Sequence, residues 1–227
     1  MVLVPAAGTG TRFGDAVPKQ YLDISGHPLI FHTLLALSKV SRIDDITVIL
    51  SPEDNHWQNY HADWALLGSK VSTARVGGNS RSQTVINGLD AITSRIALGT
   101  DDWIMVHDAA RPCIRPELIE QFIDELESDS VGGLLALPLN DTIKFDDGNL
   151  RAEKTVSRER LWRAQTPQMF RSQLLKKALA MCPEATDEAQ AIESLGHQPK
   201  LVMGDSANLK VTYAPDLKMA RLLLNED

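Results

Sequence analysis

The chain has 227 residues, of which 43% are hydrophobic and 23% charged, a composition typical of a globular protein and unlike disordered, collagen-like or coiled-coil chains. Its net charge of −7 argues against a nucleic-acid-binding protein, and its two cysteines are too few for a disulfide scaffold. Since no apolar run approaches the roughly 18 residues of a membrane span, we expect a cytoplasmic protein that binds neither nucleic acid nor a membrane.

Predicted strands alternate with predicted helices along the chain. Short apolar runs typical of buried strands occur at Val2–Val4, Ile46–Leu50, Trp103–Val106, Gly133–Leu137 and Leu201–Met203. Apolar residues at helical spacing lie between them, in segments 30–37, 57–67, 116–126 and 215–224, and we interpret Trp57 and Trp64 as core residues. The alternation predicts one α/β domain over residues 1–227, with a mainly parallel twisted sheet and helices on both faces.

One charged stretch interrupts this alternation. Residues 140–160 show only weak apolar alternation, and Asp147-Gly148 is a strong hairpin-turn signal. The stretch predicts an inserted β-hairpin arm at about residues 139–161. Because a lone two-stranded hairpin is marginally stable in water, we expect the arm to lie against this chain or against a second copy.

A glycine-rich loop follows the first predicted strand. It reads PAAGTGTRFG over residues 5–14 and is followed by PKQY at residues 18–21. Small residues let backbone N–H groups approach an anion. The spacing does not fit the dinucleotide fingerprint, because Phe13 stands where the third glycine is required, and it does not fit a P-loop, because Asp15 follows Gly14. What remains is a phosphate-binding loop whose two cations, Arg12 and Lys19, suit a triphosphate.

A carboxylate follows another predicted strand. Asp108 comes just after Trp103–Val106, at the edge of the sheet where ligands bind in α/β folds. A carboxylate there suits Mg²⁺ bridging phosphate oxygens, although its position alone equally fits an ordinary loop cap. We assign His107 a structural role, because a phosphate nucleophile is already ionised near pH 7 and needs no base.

These motifs together resemble the nucleotidyltransferases that activate sugars and polyols. Within that group, the chain is similar to the cytidylyltransferase family that acts on 2-C-methyl-D-erythritol 4-phosphate in the non-mevalonate isoprenoid pathway. The resemblance covers essentially the whole chain and continues through GG (77–78), VHDAARP (106–112), DTIK (141–144), AQTPQ (164–168), TDEA (186–189) and NLKVT (208–212). It implies a Rossmann-like nucleotidyltransferase fold. It also implies an enzyme that joins CTP and the polyol phosphate to give 4-diphosphocytidyl-2-C-methyl-D-erythritol and pyrophosphate, with Mg²⁺ or another divalent cation.

The resemblance also implies a role for each site residue. In this family pattern, Ala6, Ala7, Gly8 and Gly10 wrap the nucleotide, and Arg12 and Lys19 stabilise the transition state. The base is selected by Gly78, Asn79 and Thr84. Ala109 contacts the ribose, and Asp108 holds the metal ion. The polyol phosphate is contacted by Arg111, Thr142, Arg158, Thr166, Thr186 and Lys210, of which Arg158 and Lys210 are catalytic. Asn79 and Thr84 depart from the acidic residue and the serine that are usual in the family, so their side-chain contacts with the base are left open.

In this family the hairpin arm crosses into a neighbouring subunit. The resemblance therefore implies a homodimer with a composite active site, in which Thr142 and Arg158 hold the polyol phosphate bound to the other subunit. From local sequence alone, Arg158 equally fits a solvated surface charge.

Two other functions stay open on the sequence. The same chemistry on ribitol 5-phosphate would use most of these motifs, because acceptor choice depends on the shape of the pocket. A non-catalytic nucleotide-binding protein on the same fold would be expected to lose the cations or the carboxylate, whereas Arg12, Lys19, Asp108 and Lys210 are all present.

Overall fold

The computed structural model describes residues 1–8 and 17–225, so Gly10 and Arg12 lie outside the described residues. The strands are β1 (Val2–Ala6), β2 (Asp23–Ile24), β3 (His27–Pro28), β4 (Ile46–Leu50), β5 (Val71–Ala74), β6 (Trp103–Val106), β7 (Gly132–Pro138), β8 (Ile143–Asp146), β9 (Ala152–Val156), β10 (Trp162–Arg171) and β11 (Lys200–Met203). The helices are α1 (Leu29–Ser38), α2 (His61–Ala65), α3 (Arg81–Arg95), α4 (Pro116–Leu126), α5 (Ser172–Met181), α6 (Glu188–Ser194) and α7 (Ala214–Leu224).

Within the described residues, seven strands form one sheet in the order β11-β7-β10-β6-β1-β4-β5. Four of its six strand pairings are parallel, and the two antiparallel pairings are those of β10 with its neighbours β6 and β7. This confirms the predicted mainly parallel α/β fold, and all five predicted strands are present. Strands β5 and β10 were not predicted.

Helices cover both faces of the sheet. Val2 and Val4 of β1 point to one face, where they join a core built with α1 and α4, while Leu3 points to the other face, where α3, α5 and α6 pack. The alternation along β1 therefore contributes side chains to a hydrophobic core on each face of the sheet, as expected for a strand that is buried on both sides. Because β1, β4, β5 and β6 run parallel, their carboxyl ends lie at the same edge of the sheet.

The helix predicted over residues 57–67 is wrong as a single element. A 3₁₀ turn spans Trp57–Tyr60, and the five-residue helix α2 follows it. Trp57 and Trp64 stack with their ring centroids 4.0 Å apart and pack, half-buried, against the core on the α1 face. The indole of Trp64 also donates a hydrogen bond to the Trp57 carbonyl at 2.7 Å. The tryptophan spacing thus reflects a stacked pair at the border of the core rather than a continuous helical stripe.

The predicted arm is a two-stranded antiparallel sheet of its own, made of β8 and β9. At its base, the Leu139 N–H donates to the Leu161 carbonyl at 3.0 Å. Its apolar side chains Phe145 and Leu150 are exposed, Leu150 to 95%. In the described part of the chain, no helix has the length and apolar character needed to cross a membrane.

Candidate active site

A cleft of about 680 Å³ opens at the carboxyl ends of β1, β4 and β6, within the size range of small-molecule sites. Its wall combines small residues with charged ones. Ten of the residues predicted for the site line it: Ala6, Ala7, Gly8, Lys19, Gly78, Asn79, Thr84, Asp108, Ala109 and Lys210.

Lys19 is placed in the cleft by a 3₁₀ turn over Lys19–Tyr21 that two neighbouring side chains anchor. The buried Gln20 side chain donates to the Ala6 carbonyl at the end of β1, at 3.0 Å. The hydroxyl of Tyr21 donates to Asp54 at 2.7 Å, and its ring stacks with those of His56 and Tyr60. The position of the Lys19 backbone is therefore fixed from both the strand and the loop after β4.

A second glycine-containing loop, Gly77-Gly78-Asn79, closes tightly over the end of β4 and is called the second glycine loop. The Gly77 N–H donates to the Leu50 carbonyl at 2.8 Å, and a Cβ at Gly77 would lie 2.3 Å from the Ala7 Cβ. The hydroxyl of Thr84 accepts a hydrogen bond from the Gly78 N–H at 3.1 Å and donates to the Ser80 carbonyl at 2.9 Å. In this structure Thr84 thus shapes the loop, and the small residues leave backbone groups at the cleft wall, where they can read the edge of a base.

Asp108 lies among three cations at the end of β6. Its carboxylate contacts the Arg81 Nε at 3.2 Å, the Lys210 Nζ at 2.9 Å and the Arg111 Nε at 3.5 Å. Burial by itself would raise the pKa of Asp108, but the charges of Arg81, Lys210 and Arg111 outweigh it and hold the pKa well below its usual range. The carboxylate is therefore ionised at neutral pH.

Arg81 is a site residue that the sequence analysis missed. It is the first residue of α3, lines the cleft, and binds the buried Glu188 as well as Asp108. Burial would lower the pKa of Arg81, but Glu188 and Asp108 raise it well above its usual value. Arg81 lies outside the quoted motifs and its partner Glu188 is 107 positions away, so one sequence carries no direct signal for the pair.

A network of buried amides supports the segment that carries Lys210. The side chain of Asn208 donates to the Thr166 carbonyl at 2.8 Å, and Arg111 donates to the Asn208 carbonyl at 2.7 Å. The Asp108 N–H donates to the Thr166 hydroxyl at 3.0 Å. The motifs at 106–112, 164–168 and 208–212 are thus bonded to one another, although they are distant in sequence.

Among the residues that the structure describes, five predicted site residues do not line the cleft of their own chain. Arg111 and Thr166 are buried directly behind Asp108, where they bind the backbone of its surroundings. Thr186 is exposed just before α6, and Thr142 and Arg158 are exposed on the arm, where Arg158 donates to the Asn140 carbonyl. Their predicted contacts with substrate stay predictions.

His107 is fully buried beside the site, and burial lowers its pKa to about 3 from the ordinary 6.5. Between these two pH values the unfolded chain binds a proton that the folded protein excludes, so the free energy of unfolding falls as the pH drops below 6.5. The wild-type free energy of unfolding should fall between pH 7 and pH 5, and His107→Leu should make that fall smaller by about 2 kcal/mol. Urea unfolding at both pH values measures this, and equal losses in variant and wild type would contradict it.

Comparisons with known proteins agree over the whole chain. The family model described as 2-C-methyl-D-erythritol 4-phosphate cytidylyltransferase matches residues 1–226. Proteins of that name from Dechloromonas aromatica and Nitrosospira multiformis are 52% and 50% identical to this chain, and each alignment covers 98% of this chain and 96% of the relative.

Solved structures give the same result. The crystal structure of a 4-diphosphocytidyl-2C-methyl-D-erythritol synthase has a TM-score of 0.85 at 36% identity, and the match covers 98% of this chain and 97% of that one. The 2-C-methyl-D-erythritol 4-phosphate cytidylyltransferase from Francisella tularensis has a TM-score of 0.81 at 33% identity, with 98% of both chains covered.

Proposed function

The chain belongs to the 2-C-methyl-D-erythritol 4-phosphate cytidylyltransferase family, and we propose that its cleft binds CTP and this polyol phosphate for cytidylyl transfer. The protein is a nucleotidyltransferase of isoprenoid precursor biosynthesis. It joins the two substrates to give 4-diphosphocytidyl-2-C-methyl-D-erythritol and pyrophosphate. A cytoplasmic location stays a prediction from the sequence.

The observation that carries this function is the arrangement of charge in the cleft. Small residues at the end of β1 and in the second glycine loop leave room for a nucleoside, while Lys19, Arg81 and Lys210 bring positive charge to the cleft. Both substrates are anions, so the reaction depends on positioning and on stabilising charge as the new bond forms. The cleft supplies both a shape that positions the substrates and positive charge that stabilises the reaction.

The reaction itself needs little proton chemistry. A phosphate oxygen of 2-C-methyl-D-erythritol 4-phosphate attacks the α-phosphorus of CTP, the P–O bond to the β-phosphate breaks, and pyrophosphate leaves with the bonding electrons. Lys19 would stabilise the charge on the α-phosphate, with Arg12 as a second cation on sequence grounds, and Lys210 would position the attacking phosphate. His107 is fully buried and neutral, so it is not placed to act as a base.

The residues of the cleft fit a Mg²⁺ ion that binds together with the substrate phosphates. Magnesium binds through one or two carboxylates together with substrate phosphate oxygens and water, and the ionised Asp108 lines the cleft where those phosphates would lie. Asp108 would hold the ion, which would supply positive charge to the phosphate oxygens.

We expect excess EDTA to abolish turnover and added Mg²⁺ to restore it, without a change in melting temperature. Full activity in excess EDTA would contradict the metal requirement.

We also propose that the active protein is a homodimer with composite sites. Two features of the arm suit contact with another molecule: within the described residues its two strands pair only with each other, and Phe145 and Leu150 are exposed. Such a hairpin is poorly stable by itself. Arg158 lies on this arm, outside the cleft of its own chain, which is where a residue that serves a partner's cleft would lie.

A coupled pyrophosphate-release assay tests the function. CTP with 2-C-methyl-D-erythritol 4-phosphate should release pyrophosphate in the presence of Mg²⁺, and CTP with ribitol 5-phosphate should do so far more slowly. Product identity is checked by mass spectrometry. Faster turnover with ribitol 5-phosphate would reassign the acceptor, and no release with either acceptor would contradict catalysis.

A further inference from the structure

Glu188 is a fully buried carboxylate behind the cleft that the proposed reaction does not use. It is the first residue of α6, and its two oxygens accept from the Nη1 and Nη2 of Arg81 at 2.6 and 2.9 Å. Two parallel bonds of this kind are the geometry of an ionised carboxylate with a guanidinium group. Burial raises the pKa of Glu188 despite the opposing charge of Arg81, and loss of that guanidinium would leave a buried carboxylate without its charge partner.

The same guanidinium group holds Asp108 with its third nitrogen. The Arg81 Nε donates to the Asp108 Oδ1 at 3.2 Å, whereas Lys210 and Arg111 contact the Oδ2. Because a guanidinium group is planar, fixing its two Nη atoms on Glu188 also fixes the direction of its Nε–H. Glu188 therefore determines how Arg81 meets Asp108.

We propose that Glu188 and Arg81 are positioning residues that hold the Asp108 carboxylate in the orientation the reaction needs. The inference rests on the proposed function. Without Arg81, both Asp108 oxygens would be free to turn toward Lys210 and Arg111. That rotation would misplace Asp108 and also draw Lys210 away from a bound phosphate. The chain of contacts links the start of α6, the start of α3 and the end of β6.

Arg81→Lys is the first test, because it keeps a cation beside Glu188 but loses the planar fork. Losing a group that orients a catalytic carboxylate should lower kcat by about 10- to 100-fold, with KM for CTP changed by less than about threefold. Arg95→Lys is the matched control. Arg95 lies in the same helix and contacts both oxygens of Asp45, at 2.8 and 3.0 Å, but it does not line the cleft. Its kinetics should match wild type.

A double-mutant comparison separates positioning from a merely structural role. In an Asp108→Asn background, assayed at high enzyme concentration, Arg81→Lys should cost less than about twofold, because the group that it orients has been replaced. Glu188→Gln keeps the volume of the buried side chain and is the second variant. It should show the same loss of kcat and the same coupling even if Arg81→Lys fails to fold.

Two results would overturn the inference. One is a wild-type kcat in folded Arg81→Lys or Glu188→Gln protein, and the other is an undiminished loss in the Asp108→Asn background. An inactive wild-type protein would instead overturn the proposed function, so the two failures are distinguishable. Thermal melting and circular dichroism establish which variants are folded.

Discussion

Lys19→Ala should lower kcat by about 10²- to 10³-fold, the cost typical of removing one preorganised group that stabilises a developing charge. Lys19 lines the cleft on the same side as the end of β1, where the phosphates of CTP would lie. Its 3₁₀ turn is anchored by the side chains of Gln20 and Tyr21. The loss should therefore appear in turnover and not in folding, and the melting temperature should stay close to that of wild type.

Steady-state kinetics at saturating CTP and polyol phosphate measure the effect. Lys39→Ala is a matched control, because Lys39 is an exposed lysine just after α1 that does not line the cleft. It should retain wild-type kinetics. Near-normal turnover of folded Lys19→Ala protein would remove Lys19 from the proposed mechanism and would leave Arg12 as the remaining candidate on the glycine-rich loop.

The strands that the sequence predicted correctly are those whose signal is local. Val2–Ala6 and Ile46–Leu50 are apolar because both faces of the sheet are covered, so composition alone reveals them. Strand β10 escaped prediction because its pairing partners decide its conformation. Pro167 and several polar residues lie in it, and the register shifts between Ala164 and Gln168, so that the proline lies at an irregularity rather than in a regular ladder.

The predicted site shows the same division between local and long-range signals. Gly8, Lys19 and Asp108 stand in short motifs whose chemistry is readable in one sequence, and the structure brings all three to one cleft. Arg81 was missed because its meaning lies in its partners Asp108 and Glu188, which only the tertiary fold brings near the start of α3. A single charged residue at the start of a helix has many interpretations, and tertiary contacts select one of them.

The arm raises a question that contacts within one chain do not answer: whose cleft does Arg158 serve? Arg158 and Lys19 are both assigned to catalysis, yet only Lys19 lines the cleft of its own chain. If arms are exchanged in an isologous dimer, each cleft receives Lys19 from one chain and Arg158 from the other. Arg158→Ala and Lys19→Ala proteins should then each be poorly active alone, because each substitution damages every cleft of its own dimer. The two substitutions affect residues that different chains contribute to the same composite site.

Mixing the two variants should restore activity that neither has alone. With random exchange of subunits, about half of the dimers are heterodimers, and each heterodimer has one cleft with both residues intact and one with both lesions, so activity should reach about a quarter of the wild-type value. Subunit exchange is verified by native mass spectrometry, and each variant mixed with itself is the control. No recovery despite verified exchange would mean that Arg158 serves the cleft of its own chain or none. An active monomer in sedimentation would exclude the composite site altogether, because a monomer has no second chain to supply the arm.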